Sequence, residues 1–161
     1  MANFETAVNS LFQEEGGYVN DKADAGGETK YGISKRSYPN LDIKNLTISD
    51  AGNIYKRDFW LPNRYASIND QTVATKVLSM AVNMGSINAN ILLQRSCNEC
   101  GEMVVADGVI GPVTLAAINR LDGKILLEVY RQKCREYYYK IVMTHPKFEK
   151  FLKGWIKRAE A

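Results

Sequence analysis

The sequence predicts a mainly α protein of 161 residues folded as one domain, with one small hairpin region near its start. Three observations predict it. Apolar residues recur at helical intervals through most of the chain, beginning with Phe4, Ala7, Val8, Leu11 and Phe12. Helix punctuation stands at the edges of these runs, as at Asp70, Gly85, Pro112, Asp122 and Pro146. Only residues 15–33, EGGYVNDKADAGGETKYGI, break the period, with a polar and glycine-rich run that reads as a hairpin-like loop.

The elements follow in order. A helix is expected from Asn3 to Glu14, stopped by Gly16-Gly17, with Gly26-Gly27 marking a tight turn in the loop beyond. Ser34 to Ser37 reads as a short helical turn ended by Pro39, and Leu41 to Leu46 as an irregular connection. Ser49-Asp50 offers the N-cap of a helix carrying Ala51, Ile54, Tyr55, Phe59 and Trp60, stopped by Pro62; Trp60 reads as a packing residue. Asp70 caps a helix with Val73, Val77, Met80, Ala81 and Met84 on its apolar side, and Gly85 closes it. Ser86 begins the next, through Ala89, Leu92, Leu93 and Cys97 to about Gly101. Asn83 and Gln94 are the polar exceptions in this apolar pair, either capped or exposed amides or hydrogen-bonding groups for a sugar.

Asp107-Gly108 signals a turn, and Gly111-Pro112 starts a helix with proline at its first position. Asp122 caps a long helix to about Thr144, and Pro146 opens a short last one carrying Phe148, Phe151 and Leu152, with Trp155 following it. The total is about seven or eight helices with no internal repeat and no low-complexity linker.

Hydrophobic content of 45% and charged content of 24% are globular values. No apolar run is long enough to span a bilayer, and the N-terminal stretch MANFETAVNSLFQEE lacks a basic start and an apolar core. The expectation is synthesis in the cytoplasm without a signal peptide and no stable membrane insertion. The net charge of +3 is uneven, −3 up to Asn119 and +6 from Arg120 onwards. Such a tail attracts an anionic polymer, whether nucleic acid, acidic lipid or cell wall, or is a lysine-rich solvated helix face. Three cysteines, Cys97, Cys100 and Cys134, make an odd set with no second CxxC, so neither a disulfide framework nor a metal site is expected. The consecutive Tyr137, Tyr138 and Tyr139 face three directions on a helix, and no nucleic-acid motif accompanies them.

Glu15, Asp24 and Thr29 are the candidate catalytic groups. Glycoside hydrolysis needs an acid that protonates the leaving oxygen and a second carboxylate that assists water or attacks the sugar. Glu15 follows a hydrophobic helix face and is expected at a cleft wall, where burial raises a carboxyl pKa. Glu14 points roughly 100° away around the helix, towards solvent. Asp24, nine positions after Glu15 in a polar loop, is expected to stay ionised, and Thr29 five beyond it can hold the nucleophilic water. Taken singly, a helix-end Glu, a turn Asp and a strand Thr are more often structural than catalytic.

The density of Glu15-Gly16-Gly17-Tyr18, Asn20-Asp21, Asp24, Gly26-Gly27, Thr29 and Gly32-Ile33 resembles the N-terminal signature of glycoside hydrolase family 108, lysozyme-like N-acetylmuramidases of phages and bacteria. In that family the Glu of the EGGY motif is the catalytic acid, which implies Glu15 here. The order Glu, Asp, Thr is also similar to that of phage-type lysozymes, with the same Glu-to-Asp interval but the Thr one residue earlier. Lys22 and Ala25 stand where the family often has proline. The second half resembles the peptidoglycan-binding region that accompanies the family, through AVNMG, LLQRS, VADGVIGPVTLAAIN and FLKGWIKRA, though DG-x-x-GP-x-T strings occur in wall-binding modules generally.

The resemblance implies one lysozyme-like α+β domain over 1–161, with a catalytic part at 1–84 and a helical part at 85–161. It implies a monomeric endolysin cleaving the β-1,4 bond between N-acetylmuramic acid and N-acetylglucosamine, without metal or organic cofactor. Tyr18, Asn83 and Gln94 are the candidate substrate contacts. Peptidoglycan in the periplasm is the expected partner, reached through a separate holin-like membrane protein, and nucleic acid is not expected to bind. The rival is a wall-binding or virion structural protein using the same fold without activity.

Overall fold

The computed structural model describes residues 1–14, 17–20 and 27–161. The first helix, α1 (Phe4–Glu14), starts where Asn3 Oδ1 accepts from the Thr6 N–H at 2.9 Å, satisfying one of the N–H groups a helix start leaves open. Its Ala7, Val8 and Leu11 are buried, as the apolar spacing requires.

Three short strands follow: β1 (Val19–Asn20), β2 (Glu28–Lys30) and β3 (Ile33–Ser34). They pair antiparallel in the order β1-β2-β3, with Val19 opposite Thr29 and Thr29 opposite Ser34. Tyr31 and Gly32 join β2 to β3 with φ of 50° and 80°, the two-residue turn that matches strand twist. A left-handed tyrosine is uncommon. Here Tyr55 donates its hydroxyl hydrogen to the Tyr31 carbonyl, and Phe12 meets the Tyr31 ring edge-on at 5.9 Å. These contacts dock the hairpin against α1 and against the helix that ends at Tyr55. Ser34 thus ends a strand, and the turn expected from it follows, with Tyr38 N–H donating to the Ser34 carbonyl at 3.0 Å.

The next helix, α2 (Ile48–Tyr55), is capped by Thr47 rather than by Ser49-Asp50. Asp50 is the third helical residue and closes a capping box, accepting from Thr47 N–H while the Thr47 hydroxyl accepts from Asp50 N–H. The chain then widens into a π-helical turn, Lys56–Trp60, before Pro62. Trp60 is buried as a packing residue, edge-on to Phe4 and Tyr65.

Asp70 caps α3 (Gln71–Met84) by accepting from Val73 N–H at 3.0 Å. This helix buries Val73, Ala74, Val77, Leu78, Met80 and Ala81, on more than one side. It runs through the centre, against α1, α4 (Ser86–Glu99) and α6 (Gly123–Thr144). Gly85, at φ of 89°, breaks the chain between α3 and α4. Between α4 and α6 lies α5 (Pro112–Arg120), with proline in its first turn and Thr114, Ala117 and Ile118 inward. Asp122 caps α6 by accepting from the Lys124 and Ile125 N–H groups. The chain ends in α7 (Glu149–Glu160), packed along α6.

One buried cluster joins α3, α4, α6 and Ala159 of α7, including Leu78, Met80, Leu93, Leu126 and Tyr130. A smaller one joins α1, the hairpin and α2 through Val8, Leu11, Ile33, Ile54 and Tyr55. Burial of each large apolar side chain contributes roughly 1.5–3 kcal/mol. The described residues thus form a mainly α protein with a three-stranded antiparallel sheet after the first helix.

Candidate functional site

The C-terminal end of α1 is where structure and sequence converge. Glu14, its last residue, lies at the meeting of two grooves. The narrower, about 290 Å³, runs between α1 and α3 past Ser79 and Lys76. Glu14 is exposed as expected, but it is also tied down, its Oε2 accepting from the Ser79 hydroxyl at 2.9 Å. The wider groove, about 590 Å³, separates Gln13, Glu14 and Asn83 from the outer face of α7.

Glu15 and Asp24, the two candidate carboxyls, lie outside the described residues. Thr29 sits at the centre of the sheet, half-buried, between Val19 and Ser34. Tyr18 precedes β1 with 38% of its surface exposed, so its ring is accessible. Asn83, in the last turn of α3, lines the wider groove and donates its amide hydrogen to the Tyr138 hydroxyl. Tyr138 is itself buried under Trp155, the two rings stacked 5.2 Å apart at 25°.

Gln94 is different. It is 0% exposed, and the expectation that it meets a sugar is corrected by where its amide is spent. Its Nε2 donates towards Asp107 Oδ1, the Val109 carbonyl and Thr114 Oγ1, at 3.1, 2.9 and 3.2 Å. Its Oε1 accepts from Gly108 N–H at 2.8 Å. Asp107, Gly108 and Thr114 are three of the residues of the DG-x-x-GP-x-T string, so here that string is read from inside the protein. Gly108 adopts φ of 83°, and a Cβ there would meet Ile87 Cγ2 at 3.0 Å and its carbonyl at 3.2 Å. Its own carbonyl accepts from Asn90, whose Oδ1 in turn accepts from the buried Tyr65 hydroxyl.

Among the described residues, no group of three or more His, Cys, Asp or Glu could hold a metal ion. Cys97 and Cys134 are buried and unpaired with each other as disulfide, and desolvation pushes each thiol up to about 12. They stay protonated and act as small apolar side chains. Lys76 is 5% exposed, its ammonium donating to the carbonyls of Arg158 and Ala161, and burial pushes its pKa down to about 8. No helix among the described residues is long and apolar enough to cross a membrane.

The fold itself has relatives. Twelve chains among solved structures match, among them that of Brucella abortus SagA, with a TM-score of 0.80 and 27% identity over 98% of this chain and 89% of that one. No curated protein matches. A lysozyme-like, mainly α architecture with an open groove at the end of its first helix defines the class. Residues 8–85 match the family model of Glycosyl hydrolase 108, and residues 88–160 match that of a Predicted Peptidoglycan domain. The first half of the chain is thus a glycosyl hydrolase family 108 region with the peptidoglycan domain behind it, and the two together make a peptidoglycan hydrolase whose target lies outside the cytoplasmic membrane.

Proposed function

We propose that the chain is an N-acetylmuramidase cleaving the β-1,4 bond between N-acetylmuramic acid and N-acetylglucosamine, its 161 residues acting as one monomeric lysozyme-like domain. The observation that carries this reading is the wide groove beginning at Glu14, in the region matching Glycosyl hydrolase 108, with Glu15 the next residue of the chain. Glu15 serves as general acid, giving its proton to the leaving glycosidic oxygen. Asp24 assists water or stabilises the oxocarbenium-like transition state, and Thr29 positions the water. Tyr18 and Asn83 contact the sugar chain. If the two carboxyls are roughly 6.5–9.5 Å apart there is room for water between acid and base, and the anomeric configuration inverts. No organic cofactor enters this chemistry. Synthesis in the bacterial cytoplasm and passage to the wall through a separate holin-like membrane protein complete the endolysin reading.

The test is reducing-sugar release from purified peptidoglycan. Glu15→Gln keeps the size and hydrogen bonding of the side chain but removes its proton-donating carboxyl. We expect a loss of about 10²–10⁴-fold in rate with an unchanged melting temperature, and a smaller loss for Thr29→Ala. Wild-type rates in Glu15→Gln would end the assignment. Tight wall binding by the wild type with no release of reducing ends would make the protein a wall anchor instead.

A further inference from the structure

The face of α7 that borders the wide groove is assigned no role by the catalytic groups. Lys150, Gly154 and Lys157 fall at i, i+4 and i+7, and Phe151 and Trp155 at i and i+4, so they share one side of the helix. The two rings are stacked with centroids 5.7 Å apart at 28°, and Trp155 rests in turn on Tyr138, which Asn83 holds by its amide. This makes a rigid, half-exposed aromatic surface. Lys150 Nζ lies 5.0 Å from the Phe151 ring centre, and among the described residues neither Lys150 nor Lys157 has a carboxylate partner. Glu14 is the sole acidic side chain among the described residues bordering the groove.

Gly154 supplies an independent sign. A glycine inside a helix weakens it relative to alanine. A Cβ on Gly154 would meet nothing within 4 Å, so no close packing inside the protein requires glycine there. The space above it opens into the groove.

We propose that this face of α7 is a wall of the substrate groove that recognises acidic glycan, the units whose sugar bears a carboxylate side arm. Sugar faces lie on Phe151 and Trp155 across the gap left by Gly154, and Lys150 and Lys157 pair with the carboxylates of the muramyl side arm: those of the peptide stem where the lactyl group is amide-linked to one, and the lactyl carboxylate itself where it is not. This assignment rests on the muramidase reading for the identity of the glycan, and on the groove alone for its chemistry. An aromatic platform takes any pyranose. The two lysines therefore provide the discrimination, choosing an acidic chain over a neutral one of the same length.

The experiment measures binding in the Glu15→Gln background, so that the probe is not consumed. The probes are soluble N-acetylglucosaminyl-N-acetylmuramyl-peptide oligomers and neutral N-acetylchitooligosaccharides of equal length, titrated calorimetrically at two salt concentrations. Adding Lys150→Gln with Lys157→Gln should weaken the acidic probe at least tenfold and the neutral probe less than twofold, and should abolish most of the salt dependence. Gly154→Ala should raise the melting temperature yet weaken both probes at least threefold, a pairing that a purely structural glycine does not produce. An unchanged acidic-to-neutral ratio in the lysine double variant, or normal binding by Gly154→Ala, overturns the proposal. If wild type cleaves peptidoglycan while the ratio is unchanged, the α7 wall fails and the hydrolase reading stands. If the ratio shifts as expected but wild type releases no reducing ends, the wall stands and the muramidase reading fails.

Discussion

Replacing Gln94 with leucine tests whether its amide is an internal staple or a substrate contact. Leucine has nearly the same size, so little cavity opens and the change is mainly one of hydrogen bonding. In the native protein the amide serves four partners, and the Gly108 N–H and Thr114 hydroxyl are buried with it. Asp107 lies at the surface and regains water when released. The Gly108 N–H does not, and an orphaned buried donor costs about 1–3 kcal/mol. Adding the lost bonds to Val109 and Thr114, each worth about 0.5–1.5 kcal/mol net, gives a destabilisation of about 3 kcal/mol. For a chain of this size that lowers the melting temperature by about 6–12 °C. Urea unfolding followed by circular dichroism reads the free energy directly, and the midpoint should fall with the slope unchanged. Substrate affinity of the folded fraction should match wild type. A cost under about 1 kcal/mol together with weakened glycan binding would refute the internal role.

Two further changes probe the packing of α3. Lys76 has a folded pKa of about 8 against an ordinary 10.5, so the unfolded chain holds the extra proton between those values and stability rises with pH across that window. Its contribution should grow by about 1.4 kcal/mol from pH 7 to pH 9, as the difference between wild type and Lys76→Met in chemical denaturation; a difference independent of pH would count against a buried, partnered ammonium. Gly123 starts α6 where a Cβ would overlap the Asp70 carboxylate, which is pinned by Val73 N–H as the cap of α3. Gly123→Ala should therefore cost about 1 kcal/mol, the worth of an N-cap, seen as a drop of about 2–4 °C in melting temperature; no drop would mean that the carboxylate swings aside freely.

Helix ends were legible in the sequence where the stop or start is chemically local. Asp70 and Asp122 cap as their positions suggest, and Gly85 takes the positive φ that separates two helices. The start of α2 was displaced by two residues because Thr47, Ser49 and Asp50 are all good caps taken singly. Reciprocity decides between them: Asp50 reaches back to Thr47 N–H, which fixes Thr47 as the cap. Gln94 was misread for a deeper reason. A polar residue on an apolar helix face looks the same in sequence whether a ligand or a returning loop covers it, and here residues 107–114 return. The groove was the least legible feature. The spacing of Lys150, Phe151, Gly154, Trp155 and Lys157 shows that they share a face, but only the stacking of Trp155 on Tyr138 determines which surface that face opposes.

The two family regions meet within that groove, and this bears on how binding and cleavage are coupled. Gln13, Glu14 and Asn83 belong to the region matching Glycosyl hydrolase 108, whereas α7 belongs to the Predicted Peptidoglycan domain. The hydrogen bond from Asn83 to Tyr138 crosses between them, and the α3 side chains Leu78 and Met80 share a core with Leu93 and Tyr130. A binding module on a flexible tether raises only the local concentration of its substrate. A binding wall built into the catalytic groove acts on the same sugar chain that is being cut. Contacts made there, away from the reacting bond, then offset the cost of distorting the sugar at the bond itself, which a tethered module cannot do. On the proposed reading, the lysines and rings of α7 should therefore influence kcat as well as substrate affinity.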